Sequence, residues 1–154
     1  MGDLTKNFSS WEFECRCGHL HTEDEQINPQ FVEILQKLRD SWERPINILS
    51  GYRCPCHKLT AMRPGSKHAL GVAADIVVAG ISPVQVASRV YSDFFPETFG
   101  GLGINWEKGT VHVDARPFED AAVWQYRHGR AETIRSGVSA AIANMRLLEK
   151  MTYG

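Results

Sequence analysis

The clearest periodicity in the chain lies between Asn28 and Trp42. Phe31, Ile34, Leu35 and Leu38 recur at steps of three and four, with Glu33, Gln36, Lys37 and Asp40 on the other side, which is the spacing of an amphipathic helix. Asn28 is its expected cap, and Pro29 stands in the first turn, where a missing N–H costs nothing. Earlier, Ser9 or Ser10 followed by Glu12 reads as the start of a short helix, anchored by Phe8 and by Trp11 or Phe13. Pro45 to Ser50 alternates apolar and polar positions and predicts a strand. Leu59 to Gly65, with Arg63-Pro64-Gly65 as turn chemistry, reads as a loop. Ala74 to Val78 reads as a central strand. Ser82-Pro83 then opens a second helix with Val86, Val90 and Phe94 as its apolar stripe.

The segment Phe99 to Ile104 carries closely spaced glycines without the Lys-Ser/Thr ending of a phosphate loop. It reads as a strand whose backbone something must approach closely. Thr110 to Asp114 is the next strand, paired to it through a turn at Glu107-Lys108-Gly109. Alternation then puts Thr110, His112 and Asp114 on one face. Glu119 to Tyr126 looks helical, Gly129 an interruption, and Val138 to Met151 a second helical run with Ile142, Met145, Leu148 and Met151 at helical steps. The expected class is α+β: a small central antiparallel sheet with helices packed on it over residues 1–118, then a helical C-terminal extension, 119–154, packed on the same domain. Those last helices offer a surface for self-association or for docking a partner.

Composition changes little in this picture. A chain of 154 residues with 43% hydrophobic and 23% charged residues is an ordinary globular protein. Its net charge of -1 gives no electrostatic reason to expect nucleic acid as a partner. No apolar run approaches the ~18 residues that a membrane span needs. Met1 to Lys6 lacks the basic start and apolar stretch of a secretory signal, so synthesis in the cytoplasm is expected. Any substrate outside the cell would then be met after release.

The candidate chemistry is concentrated in His68, Asp75 and His112. Two imidazoles and one carboxylate are the ligand set that leaves a fourth zinc position open for water. A turn at Gly71 would bring His68 and Asp75 round to one ion, the small Ala73 and Ala74 letting the backbone pack closely. His112 has to arrive from a separate element. The four cysteines form two Cys-x-Cys pairs, Cys15/Cys17 and Cys54/Cys56. Neighbours that close rarely bridge each other, so a disulfide would run between the pairs. Free thiols, or a second, structural zinc completed by His19, His21 or His57, are the alternatives. Either form of cross-link would tie the N-terminal arm to the loop after Ser50-Gly51-Tyr52-Arg53.

Ser66, His68, Gly71, Ala73 and Asp75 form Ser-x-His-x-x-Gly-x-Ala-x-Asp. This run resembles the zinc signature of the D-alanyl-D-alanine carboxypeptidases, which belong with the D-alanyl-D-alanine dipeptidases, several phage endolysins and the hedgehog signalling domain. Ser50-Gly51-Tyr52-Arg53, Gly100-Gly101-Leu102-Gly103 and Val111-His112-Val113-Asp114-Ala115-Arg116 match the same group in the same order. The resemblance implies the hedgehog-like fold, a zinc ion on His68, Asp75 and His112, and a peptidase acting on peptidoglycan stem peptides at or near a D-alanyl bond. It also implies that Arg53 lies by the zinc and stabilises the oxyanion or the substrate's carboxylate, with Ser66 and Tyr52 beside it on the substrate side. A permanently charged, two-pronged guanidinium suits that work.

One departure stands out. In the resembling peptidases the acid that takes the water's proton stands three residues before the last histidine ligand, and here that position is Gly109. Asp114 and Glu107 are the two candidate substitutes, although Asp114 could equally orient His112 or pair with Arg116. The missing acid keeps a second function open: a non-catalytic, zinc-containing binding or virion structural module.

Overall fold

The computed structural model describes residues 2–19 and 26–136. In chain order these form a 3-10 turn (Ser10–Phe13), α1 (Pro29–Trp42), β1 (Ile46–Ser50), α2 (Lys58–Met62), β2 (Ala73–Val78), α3 (Pro83–Asp93), β3 (Gly101–Asn105), β4 (Thr110–Asp114), a second 3-10 turn (Phe118–Asp120), β5 (Ala122–Arg127) and β6 (Arg130–Ser136). The chain divides into two compact units, Met1–Ile76 and Val77–Gly154, and the division falls inside β2. Within the second unit the strands lie side by side in the order β4-β3-β5-β6.

In the first unit, the Asn28 side chain accepts from the Gln30 and Phe31 N–H groups and starts α1. Phe31, Val32, Leu35 and Leu38 are its fully buried side chains. Each contributes about 2 kcal/mol by leaving water. The helix stops where Glu43 turns left-handed, at φ 54°. Ser9 precedes the first 3-10 turn, and the Glu12 carboxylate reaches back to its N–H at 2.7 Å. Phe8 and Phe13 are both buried and pack tilted, 5.8 Å apart, while Trp11 stays exposed. The stretch expected as loop from Leu59 holds the short helix α2 instead. His57 Nδ1 accepts from the Leu59 N–H and caps it, a role that an imidazole at this point of the sequence does not advertise.

In the second unit, Ser82 caps α3 by accepting from Gln85 N–H. The helix packs on β3 and β4 through Val84, Val86, Ala87 and Val90. Strands β3 and β4 are an antiparallel hairpin with Gly103 opposite His112 and Gly101 opposite Asp114. The glycines are there because side chains lie across them. A Cβ on Gly101 would run into the Asp114 carboxylate, and one on Gly103 into the Trp124 ring.

Residues 119–126 correct the helical expectation. They form a 3-10 turn and then β5, which runs parallel to β3, with β6 antiparallel to β5. The sheet is therefore mixed, not antiparallel throughout. Val123, Trp124 and Tyr126 are strand formers with the first facing inward. His128 and Gly129, at φ 54° and 72°, supply the two left-handed residues of a tight hairpin turn. Gly129 thus makes the hairpin rather than interrupting a helix. The helical run expected over Val138–Met151 lies outside the described residues. No helix among the described residues is long and apolar enough to cross a membrane.

Candidate metal centre

His68 sits in the first unit, in the turn that precedes β2, and is 4% exposed. Ser66 Oγ accepts its backbone N–H at 3.3 Å, and its carbonyl accepts from Arg53 and Gly71 N–H groups. Gly71 has φ +73°, and a Cβ there would press on the Gln26 carbonyl at 2.9 Å. This turn is what carries the chain from His68 to Asp75. The imidazole Nδ1 lies 2.8 Å from the Gly51 carbonyl oxygen. A carbonyl only accepts, so Nδ1 carries the proton and Nε2 the lone pair.

That lone pair faces Asp75 Oδ1 at 3.5 Å. An imidazole nitrogen beside a carboxylate oxygen is a donor set that fits a metal ion. The other Asp75 oxygen lies 3.5 Å from the Arg53 guanidinium. Burial pulls the Arg53 pKa below its usual value, while the Asp75 charge opposes that shift.

The second unit supplies His112. On β4, His112 Nε2 is 2.8 Å from Asp114 Oδ2. An ionised carboxylate only accepts, so Nε2 carries the proton and Nδ1 remains to ligate. Asp114 is fully buried. Arg116 gives it three further hydrogen bonds, from its backbone N–H at 3.0 Å, Nε at 2.8 Å and a terminal nitrogen at 2.7 Å. Burial alone would raise the Asp114 pKa, but the hydrogen bonds and charges of His112 and Arg116 overturn that and hold it well below the usual carboxylate range.

His68 and Asp75 are thus brought together within the first unit, and His112 with Asp114 within the second. Of the other residues singled out in the sequence, Ser66 braces the His68 turn, and Tyr52 is buried with Cys15 and Cys54. Glu107 is exposed at the tip of the β3–β4 hairpin, its Oε1 accepting from Gly129 N–H at 2.8 Å. Gly109 closes that hairpin at φ +67°.

Trp124 is the site neighbour that the sequence pattern did not bring forward. Its ring lies 4.9 Å from the His112 ring and 5.0 Å from the Arg116 guanidinium. The usable signal is the β-branched and aromatic content of Val123-Trp124-Gln125-Tyr126, which suits a strand better than a helix. Trp124 then falls in register with Gly103.

The cysteines form a second group, inside the first unit. Cys15, Cys17 and Cys54 bring their sulfurs within 4.8 Å of one another, so the N-terminal arm does meet the loop after Arg53. Cys56 is exposed and outside this group. Among known proteins, the Peptidase M15 family model matches residues 6–114. No curated protein and no solved structure matches the chain.

Proposed function

Because the chain belongs to the Peptidase M15 family, and so is a metallopeptidase, we propose that it hydrolyses peptidoglycan stem peptides at or near a D-alanyl bond, in lysis or wall remodelling. The observation that carries the metal part is His68 Nε2 facing Asp75 Oδ1 at 3.5 Å with Nδ1 already committed to Gly51. His68, Asp75 and His112 would hold a zinc ion. When bound, zinc acidifies a water and polarises the scissile carbonyl.

The chain's own residues divide the remaining work. Gly51 and Asp114 fix the ring orientation and tautomer of His68 and His112. Arg53, beside Asp75, supplies positive charge for the substrate's carboxylate or for charge that develops on the carbonyl oxygen. Asp114 is a positioning residue: a carboxylate held so far below its usual pKa is a poor proton acceptor. Gly109 needs its left-handed backbone to close the hairpin, which explains why no acid stands there. Of the two candidate carboxylates this leaves Glu107, exposed and with its Oε1 accepting from the Gly129 N–H, as the proton acceptor to test.

The absence of an acid at Gly109 also favours a second reading, in which the site binds wall peptides without cutting them. Purified wall material incubated with the protein, with and without chelator, separates the two. Released peptide fragments of defined mass that vanish with chelator support the peptidase. Metal-dependent muropeptide binding with no new fragments supports the binding module.

A further inference from the structure

We infer that Cys15, Cys17 and Cys54 hold a second, structural zinc ion, independent of the His68 group. The three thiols are free of disulfides. Cys54 Sγ lies 3.5 Å from Cys15 Sγ and 3.3 Å from Cys17 Sγ. A tetrahedral ion with ~2.3 Å bonds to sulfur holds its ligands about 3.8 Å apart, close to this spacing. A disulfide needs ~2.05 Å and would satisfy only two of the three. Three sulfurs within 4.8 Å of one another, none of them in a disulfide, suit one shared ion.

Two further features suit thiolate ligands. The backbone N–H of His19 is directed at Cys17 Sγ, and that of Cys56 at Cys54 Sγ. Each is a turn in which the residue two places on donates to the sulfur, and Gly18, at φ +81°, permits the first of them. Donors aimed at sulfur stabilise its negative charge. Cys15 and Cys54 are buried, so an ion there would be shielded from solvent on that side. His57, whose Nδ1 caps α2, is already employed.

The consequence for the fold is specific. Cys15 and Cys17 follow the 3-10 turn that presents Phe13, whose carbonyl accepts the Tyr52 N–H at 2.9 Å. Cys54 follows Gly51-Tyr52-Arg53, which provides the carbonyl under His68 and the guanidinium beside Asp75. An ion joining these segments pins the loop that orients the first-unit half of the other metal group. Structural zinc sites contribute directly to folding free energy.

The test uses the whole chain purified with zinc under exclusion of oxygen, so that the thiols stay reduced. Cobalt(II) substitution should give intense thiolate-to-metal charge-transfer absorbance in the near ultraviolet. That band should survive His68→Ala and disappear in Cys54→Ser, with bound metal falling from two ions to one in either variant. A band that is absent in the wild-type protein, or unchanged by Cys54→Ser, overturns the inference. Should Cys54→Ser fail to fold, thiol counting on the wild type decides. Three thiols that resist a sulfhydryl reagent until a strong chelator is added support zinc. Thiols that react at once, or only after a reductant, overturn it. A wild type that binds one ion with the thiolate band keeps this site while removing the His68 group.

Discussion

His112 donates its Nε2–H to the Asp114 carboxylate over 2.8 Å, two residues away on the same face of β4. The strand's two-residue repeat makes that meeting automatic. What the repeat does not supply is the rest of the carboxylate's environment: full burial, a two-pronged Arg116 and a glycine, Gly101, across the ladder to make room.

Asp114→Asn should therefore act through His112 and not as the loss of a base. The buried charge on one side of a well-formed pair disappears, leaving Arg116 without its counter-charge, at a cost of roughly 3 kcal/mol in unfolding free energy. Metal affinity should fall by about 10- to 100-fold. Urea unfolding and zinc titration of the variant measure both, and an unchanged zinc affinity would remove Asp114 from the metal site.

Acid should unfold the protein partly through the same carboxylate. Its folded pKa is depressed below the ordinary value of 3.8. The stabilisation is thus fully present above that value and is lost as pH falls from it toward the lower folded pKa. Unfolding midpoints of wild type should drop more steeply below about pH 4 than those of Asp114→Asn. Parallel curves would show that the pair contributes nothing to acid stability.

Glu107→Gln keeps an oxygen that can accept the Gly129 N–H, so the hairpin tip should stay intact. If Glu107 takes the proton, kcat should fall by about 100-fold or more with KM little changed. A rise in KM alone, with kcat preserved, would return Glu107 to a purely structural role.

Arg53→Lys preserves a positive charge beside Asp75 but loses the fork. The expectation is a loss in kcat/KM of about 10- to 100-fold, or 1.4 to 2.7 kcal/mol in transition-state stabilisation. Unfolding free energy should change little. Steady-state kinetics on a defined stem peptide, next to a melting curve, reads both.

Gly101→Ala tests the space around Asp114. The added methyl would meet the carboxylate itself, and overpacking of this kind costs about 1 to 3 kcal/mol. Asp114→Asn should not rescue it, because the amide fills the same volume. A neutral Gly101→Ala would mean that the strands can spread apart there.

The elements with strong local signals were legible from end to end. Asn28-Pro29 and Ser82-Pro83 start helices where the cap chemistry demands, and the glycine-spaced strand and its hairpin partner pair as the alternation implies. The stretch from Ala122 departs from its helical expectation. Its alanines and single polar residues imitate a helix, and its strand character depends on β3 offering an edge. Propensity yields when an unpaired strand is available to complete.

Sequence alone nominated the side chains for the proposed chemistry: His68, Asp75 and His112 for a metal, Arg53 for negative charge, and paired cysteines for a cross-link. Residue type and spacing suffice for a nomination, because ligand sets are short lists of donor atoms. Tertiary structure supplied the neighbours of each. Which histidine nitrogen is left to ligate depends on the Gly51 carbonyl and the Asp114 carboxylate. Whether Asp114 accepts a proton depends on Arg116 and on burial. That three of the four cysteines converge depends on where the loop after Arg53 lies. Electrostatic environment is set by neighbours in space, and a linear pattern carries no record of them.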